Sequence, residues 1–101
     1  MIRVKLSDQA RWDFARLTDF LIETTPAAAP ATAALIVNAL RILERYPRIG
    51  RQAAQPPLRE LAIQRSRTSY VALYRVDPLD RYVEILALRH QRESGYHQED
   101  L

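Results

Sequence analysis

The hydrophobic and polar positions near the N-terminus change from a strand pattern to a helix pattern within ten residues. Residues 2–6 alternate apolar and basic side chains, which predicts a short strand. Ser7 then stands at a helix N-cap position, with Asp8 in the first turn, where a carboxylate favours the positive end of the helix. Apolar residues recur beyond it at helical spacing and predict an amphipathic helix of about four turns. They are Ala10, Phe14, Leu17 and Leu21, with Trp12, Ala15 and Ile22 widening the stripe.

The charged residues of this first helix are expected to lie mostly opposite its apolar stripe; they are Asp13, Arg16, Asp19 and Glu23. Residues 24–26 end the helix and offer the next one a proline at its first position. Pro30 removes a helical hydrogen bond, so the second helix begins either at Pro26 with a defect or at Pro30 after an irregular turn. Its later apolar positions repeat at three and four up to Tyr46, and Pro47 ends it. The short connection predicts an antiparallel helical hairpin.

The second half of the chain carries strand patterns. Residues 46–57 form the one loop, interrupted by prolines and Gly50. Runs at 58–63, 70–76 and 82–88 predict three strands, separated by residues 64–69 and by a hairpin loop at 77–81. Sequential strands with short connections predict an antiparallel meander. We therefore predict a single α+β domain over residues 1–101. It is a two-layer sandwich with the N-terminal strand joining an antiparallel sheet and the helical hairpin packed on it.

Composition narrows the function classes without naming one. The chain has 101 residues and no cysteine, which excludes a disulfide framework, a thiolate zinc site and a cysteine nucleophile. The N-terminus lacks a signal-peptide core, and no stretch approaches the ~20 apolar residues that a membrane span needs. We expect a soluble, cytoplasmic protein that does not bind membranes and has no cofactor or metal.

The net charge of +3 is unevenly distributed along the chain. Residues 1–40 are neutral, residues 41–75 carry eight arginines against Glu44 and Glu60 for a net of +6, and the remainder has a net of −3. Every basic residue except Lys5 is arginine, whose planar fork binds carboxylates and phosphates bidentately. The basic middle segment therefore suits an acidic protein segment or a nucleic acid.

Four motifs in order, YPRIGR, LRELAI, YVALYRVD and VEILALRHQRESGY, make the chain similar to a known family. Over residues 2–97 it resembles the RelE/ParE superfamily of small toxins from bacterial type II toxin-antitoxin modules. The resemblance implies a plasmid-stabilisation type of module, in which a cognate antitoxin neutralises the toxin. That antitoxin is expected to have an acidic C-terminal segment and a ribbon-helix-helix DNA-binding domain.

The resemblance leaves two target classes open. RelE-like members cut mRNA in the ribosomal A site, whereas ParE-like members are described as poisons of DNA gyrase without hydrolytic chemistry. A metal-independent ribonuclease needs an acid and a base near the phosphate, which arginine does not supply. The candidates for that work are His90, Glu93, Tyr96 and His97. By order, the residues that match the nuclease members after the last strand are His90, Arg92 and Tyr96. Arg75 on the middle strand could flank a phosphate together with Arg89 or Arg92.

Two features favour the ParE-like hypothesis. Lys5 is the only lysine and lies far away in the first strand, and the interval from Arg92 to Tyr96 is shorter than in RelE. The alternatives are a RelE-like endoribonuclease using Arg75, His90, Arg92 and Tyr96, or a degenerate member that binds its antitoxin without toxicity. Contacts to antitoxin or target are assigned to Arg59, Arg65, Arg67, Arg75, Arg89 and Arg92.

The same residues could also have purely structural roles. His90 is equally suited to capping the tail, and the ring of Tyr96 to packing on the helical hairpin. Arg59 and Glu60 alternate faces of their strand, so one of them is expected to pair across to Arg75 or Glu84. Trp12, Phe14, Tyr70 and Tyr74 are expected in the core or at its edge.

Overall fold

The computed structural model describes residues 1–97, in which two helices pack on one face of a five-stranded sheet. Its elements are β1 (Arg3–Leu6), α1 (Asp8–Thr24), α2 (Ala29–Arg41), β2 (Arg51–Gln52), β3 (Arg59–Arg65), β4 (Thr68–Val76) and β5 (Tyr82–His90). The strand order is β1-β5-β4-β3-β2. The predicted α+β sandwich and the meander of β3, β4 and β5 are confirmed.

The sheet is mixed, because β1 runs parallel to β5. The pairing extends from Arg3 opposite Tyr82 to Leu6 opposite Ile85. The prediction of an antiparallel sheet is therefore wrong for this one strand. Alternation of side chains defines which face each residue occupies, but it carries no information on which strand is the neighbour or in which direction it runs.

The second helix begins in an irregular way. A 3₁₀ turn covers Pro26–Ala28, and α2 starts at Ala29, so that Pro30 occupies its first turn. A proline there removes no hydrogen bond, since the first N–H groups of a helix have no partner within it. A second 3₁₀ turn, Ile42–Glu44, follows α2 before Pro47.

One segment of the described chain, Pro26–Glu44, is long and apolar enough to cross a membrane by length and composition, with a mean hydropathy of 1.4. The expectation that no segment approaches such a span is therefore wrong as a statement about composition. The buried residues of α2 recur at helical spacing and face the rest of the core; they are Ala29, Thr32, Ile36 and Leu40. Packing of this side on the rest of the core accounts for part of the apolar composition, whereas Val37 and Ile42 are 43% and 47% exposed.

The strands are longer and the connections shorter than the pattern predicts. Residues 51 and 52, expected in a loop, form β2 and pair with Glu60 and Arg59 of β3. The turn between β3 and β4 contains only Ser66 and Arg67, with Ser66 at φ 53°. Residues 64–69, predicted as a separator, thus mostly belong to strands, because cross-strand pairing outweighs the low strand propensity of their polar side chains.

The helix α1 buries a different set of residues from its apolar stripe. Ala10 and Leu17 are buried, but Trp12 is 41% and Ile22 is 58% exposed. Asp13, expected on the solvent side, is completely buried. The predicted widening of the stripe by Trp12 and Ile22 is wrong, because the face that contacts the sheet includes Asp13 instead.

The carboxylate of Asp13 binds the part of β5 that lies beyond its pairing with β1. Its Oδ2 accepts the Leu88 backbone N–H at 2.9 Å, and its Oδ1 accepts from Gln9 Nε2 at 3.0 Å. Arg16 Nη2 lies 3.5 Å from the same Oδ1. A buried carboxylate persists only when its oxygens are satisfied in this way.

Asp13 and the helix cap together replace a missing strand. The strand β1 ends at Leu6, so β5 has no strand neighbour on that side beyond Ile85. Ser7 Oγ caps α1 by accepting the Ala10 N–H at 3.1 Å and donates to the Leu86 carbonyl at 3.0 Å. The start of α1 therefore supplies the hydrogen bonds that the sheet edge would otherwise lack.

Gly50 marks a close approach between the loop after α2 and the sheet. Its N–H donates to Tyr74 Oη at 2.8 Å, and Arg59 Nη1 donates to its carbonyl at 2.8 Å. A Cβ at this position would lie 2.6 Å from both the Glu60 carbonyl oxygen and Tyr74 Oη. Only glycine fits here without moving backbone atoms.

We expect Gly50→Ala to lower the free energy of unfolding by about 2 kcal/mol, because the added methyl group overlaps backbone and a buried phenol. Urea denaturation followed by circular dichroism measures this. Gly95→Ala is the matched control, since nothing lies within 4 Å of a Cβ built there. Equal stability of the two variants would contradict the close approach.

Asp13→Ala should lower the free energy of unfolding by about 2–4 kcal/mol, because it leaves the Leu88 N–H unpaired in the interior. The control is Asp19→Ala, which changes an exposed residue of the same helix with the same gain in helix propensity. If the urea midpoints of the two variants agree within experimental error, the buried carboxylate contributes nothing to the stability.

Candidate functional site

The face of the sheet opposite the helices is open and has charged ends. The register places Arg75 beside Glu84, Leu73 beside Ala87 and Val71 beside Arg89 on this face. Glu60 of β3 lies next to Leu73. The face therefore has one polar cluster near Arg75, an apolar middle, and a second polar cluster near Glu60 and Arg89.

The first cluster surrounds the ring of Tyr82. Lys5 Nζ lies 4.0 Å and Arg75 Cζ 5.5 Å from the ring centre. Arg75 also contacts Tyr82 Oη at 3.2 Å and Glu84 Oε1 at 3.0 Å. These hydrogen bonds raise the pKa of Arg75 above its ordinary value. The expectation that Lys5 lies far from the other candidates is wrong, because Lys5 on β1 and Arg75 on β4 both contact the ring of Tyr82.

Neither Arg59 nor Glu60 pairs with Arg75 or Glu84, contrary to the prediction. Arg75 and Glu84 pair with each other instead, and Arg59 donates to the carbonyls of Arg48 and Gly50. The register explains this, because Arg59 lies opposite Tyr74 on the face that carries the helices.

The second cluster binds the tail that follows β5. Tyr96 Oη donates to Glu60 Oε2 at 2.6 Å, and Glu60 Oε1 accepts from Arg51 Nη2 at 3.2 Å. The guanidinium of Arg89 lies 5.0 Å from the Tyr96 ring centre. Burial, reinforced by the Glu60 carboxylate, raises the pKa of Tyr96 far above its ordinary value. Tyr96 therefore stays a neutral hydroxyl and packs on the open sheet face rather than on the helical hairpin.

Arg89 is used within the protein as well. Its Nη1 lies 3.3–3.4 Å from the carbonyl oxygens of His90, Gln91 and Glu93, which it binds as the chain reverses after β5. Its Nε is buried without a partner in the described chain. The geometry thus gives Arg89 a role in shaping the tail.

His90 lies on the helix side of the sheet. Its ring packs edge-on against Tyr70 with centres 5.3 Å apart, and its Nδ1 accepts the Arg92 backbone N–H at 3.0 Å. Its own N–H donates to Glu93 Oε2 at 2.8 Å. His90 therefore caps the turn, and the sheet separates it from Tyr96.

Glu93 connects the tail to α1. Arg16 Nη1 donates to Glu93 Oε1 at 2.5 Å, and His97 Nε2 lies 3.0 Å from the same oxygen. Burial alone would raise the pKa of Glu93, but the bonds from Arg16, the His90 N–H and His97 outweigh it and lower that pKa. The ring of His97 lies 5.8 Å from the ring of Trp12 on α1.

The remaining predicted contact residues lie apart from one another. Arg65 Nη1 donates to the Ala28 carbonyl at 3.0 Å and to Thr32 Oγ1, so it holds the start of α2. Arg67 occupies the tip of the β3–β4 turn, and Arg92 is exposed after β5. The structure does not bring the six predicted arginines into one surface, and their contact with a partner stays a prediction.

Sequence reasoning missed Glu60 and Tyr82 as members of polar clusters. The alternation along β3 could place Glu60 on one face, but its meeting with Tyr96 depends on a tail that folds back over the sheet. No group of three His, Asp or Glu residues able to hold a metal ion occurs within residues 1–97. The candidate acids and bases are thus divided. His90 and Glu93, which contacts His97, lie on the helix side, and the Tyr96–Glu60 pair lies on the other face.

Similarity to known proteins agrees with this architecture. The family model described as ParE toxin of type II toxin-antitoxin system, parDE, matches residues 4–95. The chain is 33% identical over 93 residues to Toxin RelE3 of Caulobacter vibrioides, covering 92% of this chain and 98% of that protein. It is 37% identical over 73 residues to Toxin RelE1 of the same organism, covering 72% of this chain and 77% of that protein.

Two solved structures share the fold. The chromosomal ParDE toxin-antitoxin system from P. aeruginosa superposes with a TM-score of 0.74 at 24% identity, covering 89% of this chain and 96% of that one. The toxin-antitoxin complex RelBE2 from Mycobacterium tuberculosis gives a TM-score of 0.62 at 26% identity, covering 89% and 98%.

The helical pair on a mixed five-stranded sheet is the fold of both solved neighbours. The family model and the two relatives identify the chain as a small toxin of the RelE/ParE superfamily. Within it, the chain belongs to the ParE toxin family of type II toxin-antitoxin systems.

Glu93→Gln tests the ion pair that connects the segment after β5 to Arg16 of α1. At pH 7 the variant should lose about 1–2 kcal/mol of unfolding free energy, because Arg16 and the His90 N–H lose an ionised acceptor. The lowered pKa of Glu93 means that the stabilisation is complete above the ordinary carboxyl pKa of about 4.3. It is lost as the pH falls through the lower, folded-state pKa.

Urea titrations at pH 7, 5 and 3 measure this difference between wild type and variant, which should become smaller as the pH falls from 5 to 3. Glu23→Gln, an exposed change on α1, is the control for a general charge effect. A difference that is independent of pH would contradict the role assigned to the carboxylate.

Proposed function

We propose that this toxin is ParE-like: it inhibits growth in the cytoplasm by binding DNA gyrase, performs no hydrolysis, and is neutralised by an antitoxin. The observation that carries this proposal is the separation of His90 from Tyr96 by the sheet. Metal-independent RNA cleavage needs a base, an acid and a charge stabiliser around one phosphate. The four residues expected for it, Arg75, His90, Arg92 and Tyr96, do not surround one point.

The states of these side chains support the same conclusion. Arg75 is held by Glu84 and Tyr82, and the Nδ1 atom of His90 is occupied by the Arg92 N–H. The Tyr96 hydroxyl donates a hydrogen bond to Glu60 and keeps its proton. The scarcity of lysine carries less weight than it does in the sequence, because Lys5 lies beside Arg75.

An antitoxin partner is part of the proposal. Both structural neighbours are described as toxin-antitoxin assemblies, and this chain keeps arginines with exposed, unpartnered side chains in the described region, among them Arg45, Arg67 and Arg92. An acidic C-terminal segment of an antitoxin that carries a ribbon-helix-helix domain complements this charge. The module would be of the plasmid-stabilisation type.

A RelE-like endoribonuclease is the second candidate. It is favoured by a second arrangement on the open face. Tyr96 contacts Glu60, and the guanidinium of Arg89 lies over the Tyr96 ring, so that a phenol, a carboxylate and a cation are close together. The names of the two relatives from Caulobacter vibrioides are compatible with it. In that mechanism Glu60, rather than His90, would be the base.

Induction of the chain without an antitoxin distinguishes the candidates. We expect filamentation, an SOS response and trapped gyrase cleavage complexes, with translation continuing. Rapid translation arrest with codon-positioned mRNA cuts would contradict the proposal and support the nuclease. Unimpaired growth, with accumulation of the protein verified, would contradict toxicity and support a degenerate member of the family.

A pair of variants sharpens this experiment. Tyr96→Phe removes only the hydroxyl that contacts Glu60, so a toxin that acts by binding should keep its growth inhibition, whereas a nuclease should lose about 100-fold or more of its activity. Tyr46→Phe, at a tyrosine that is 59% exposed, is the matched control.

A further inference from the structure

A groove of about 540 Å³ lies on the helix side, away from both clusters of the open face. It runs between the last turns of α1, the start of β4 and the turn after β5. We call it the α1 groove; its lining includes Leu17, Phe20, Leu21, Thr68, Tyr70 and His90, together with Arg92.

The floor and one wall of the α1 groove are apolar. Leu17 and Tyr70 are buried beneath it, and Phe20 is 63% exposed, the highest value among the large apolar residues of α1. An exposed aromatic ring next to an apolar floor is typical of a surface that receives a side chain from another molecule.

The opposite side of the α1 groove is positively charged. Arg92 has an exposed side chain without a partner in the described residues, and Arg67 stands one residue before Thr68. The Nδ1 atom of His90 accepts the Arg92 N–H, which leaves Nε2 as the donor of this ring. Glu93 also lines the groove, but Arg16, the His90 N–H and His97 already bind its carboxylate.

We propose that the α1 groove binds a peptide segment in which an apolar side chain stands next to a carboxylate. The apolar side chain packs on Phe20, Leu17 and Tyr70, and the carboxylate pairs with Arg92 and the His90 Nε2–H. In naming the antitoxin's acidic segment as the source of this peptide, the inference rests on the proposed function. A nucleic-acid backbone fits less well, because it brings several phosphates and no aliphatic group to a lining that is mostly apolar.

The probe for this site is N-acetyl-leucine, which carries an apolar side chain next to a carboxylate, and its uncharged match is N-acetyl-leucinamide. Each is titrated into the ¹⁵N-labelled chain while amide chemical shifts are recorded. We expect the carboxylate to shift the amides of Phe20, Thr68 and Arg92, and the amide to bind at least tenfold more weakly. Equal binding of both probes, or shifts confined to other surfaces, would overturn the proposal.

Two exposed substitutions separate the two halves of the site. Arg92→Gln should abolish the tenfold preference for the carboxylate probe. Phe20→Ser should weaken the binding of both probes to a similar extent. The matched controls are Arg45→Gln and Ile42→Ser, which change exposed residues outside the groove and should leave both affinities unchanged. A preference that survives Arg92→Gln would exclude the assigned carboxylate contact.

Other occupants give distinct results. If inorganic phosphate shifts the same amides more strongly than N-acetyl-leucine does, the proposal of a peptide ligand is overturned in favour of a nucleic acid. Shifts of these amides with protein concentration alone would indicate a second copy of the chain and would also overturn it. Because no growth phenotype enters these measurements, failure of the proposed target leaves them valid, and failure of the groove leaves toxicity untouched.

Discussion

The structure depends on the buried contact between the Asp13 carboxylate and the backbone of β5. The parallel strand β1 is too short to cover β5, so α1 must supply hydrogen bonds to the uncovered edge, and Asp13 and Ser7 do so. A carboxylate without those partners would not be tolerated in the interior. This contact fixes the height of α1 along β5 and, through Arg16 on the next turn, the position of the Glu93 carboxylate after β5.

The ion pair between Arg16 and Glu93 holds the turn after β5, from which side chains reach both faces of the sheet. Arg16 binds Glu93, whose carboxylate receives the His90 N–H on the helix side. The same turn delivers Tyr96 to Glu60 on the open side, where Arg89 binds the reversing backbone. The sheet thus lies between His90 and Tyr96, and the tail crosses from one face to the other. This separation, more than the composition, supports a toxin that acts by binding.

The arginine-rich composition has an explanation inside the fold as well as outside it. Arg59 and Arg65 donate to carbonyls of the loop after α2 and of the start of α2, and Arg89 to those of the tail. Arginine suits this work because its rigid fork reaches several acceptors and remains charged. The arginines that remain without partners in the described region, such as Arg67 and Arg92, are the ones left for another molecule.

The sequence by itself determined the class of fold and most of the secondary structure, although not the short strand β2. The Ser7 cap, the helical spacing from Ala10 and the three strand runs depend on neighbours a few residues apart, so local pattern predicts them well. Only the tertiary structure decided the direction of β1, the burial of Asp13 and the contact of Tyr96 with Glu60. These depend on residues 36 to 79 positions apart in the chain, whose register no local pattern encodes. Hence the candidate residues could be identified by type, whereas the face of the sheet on which each one acts could not.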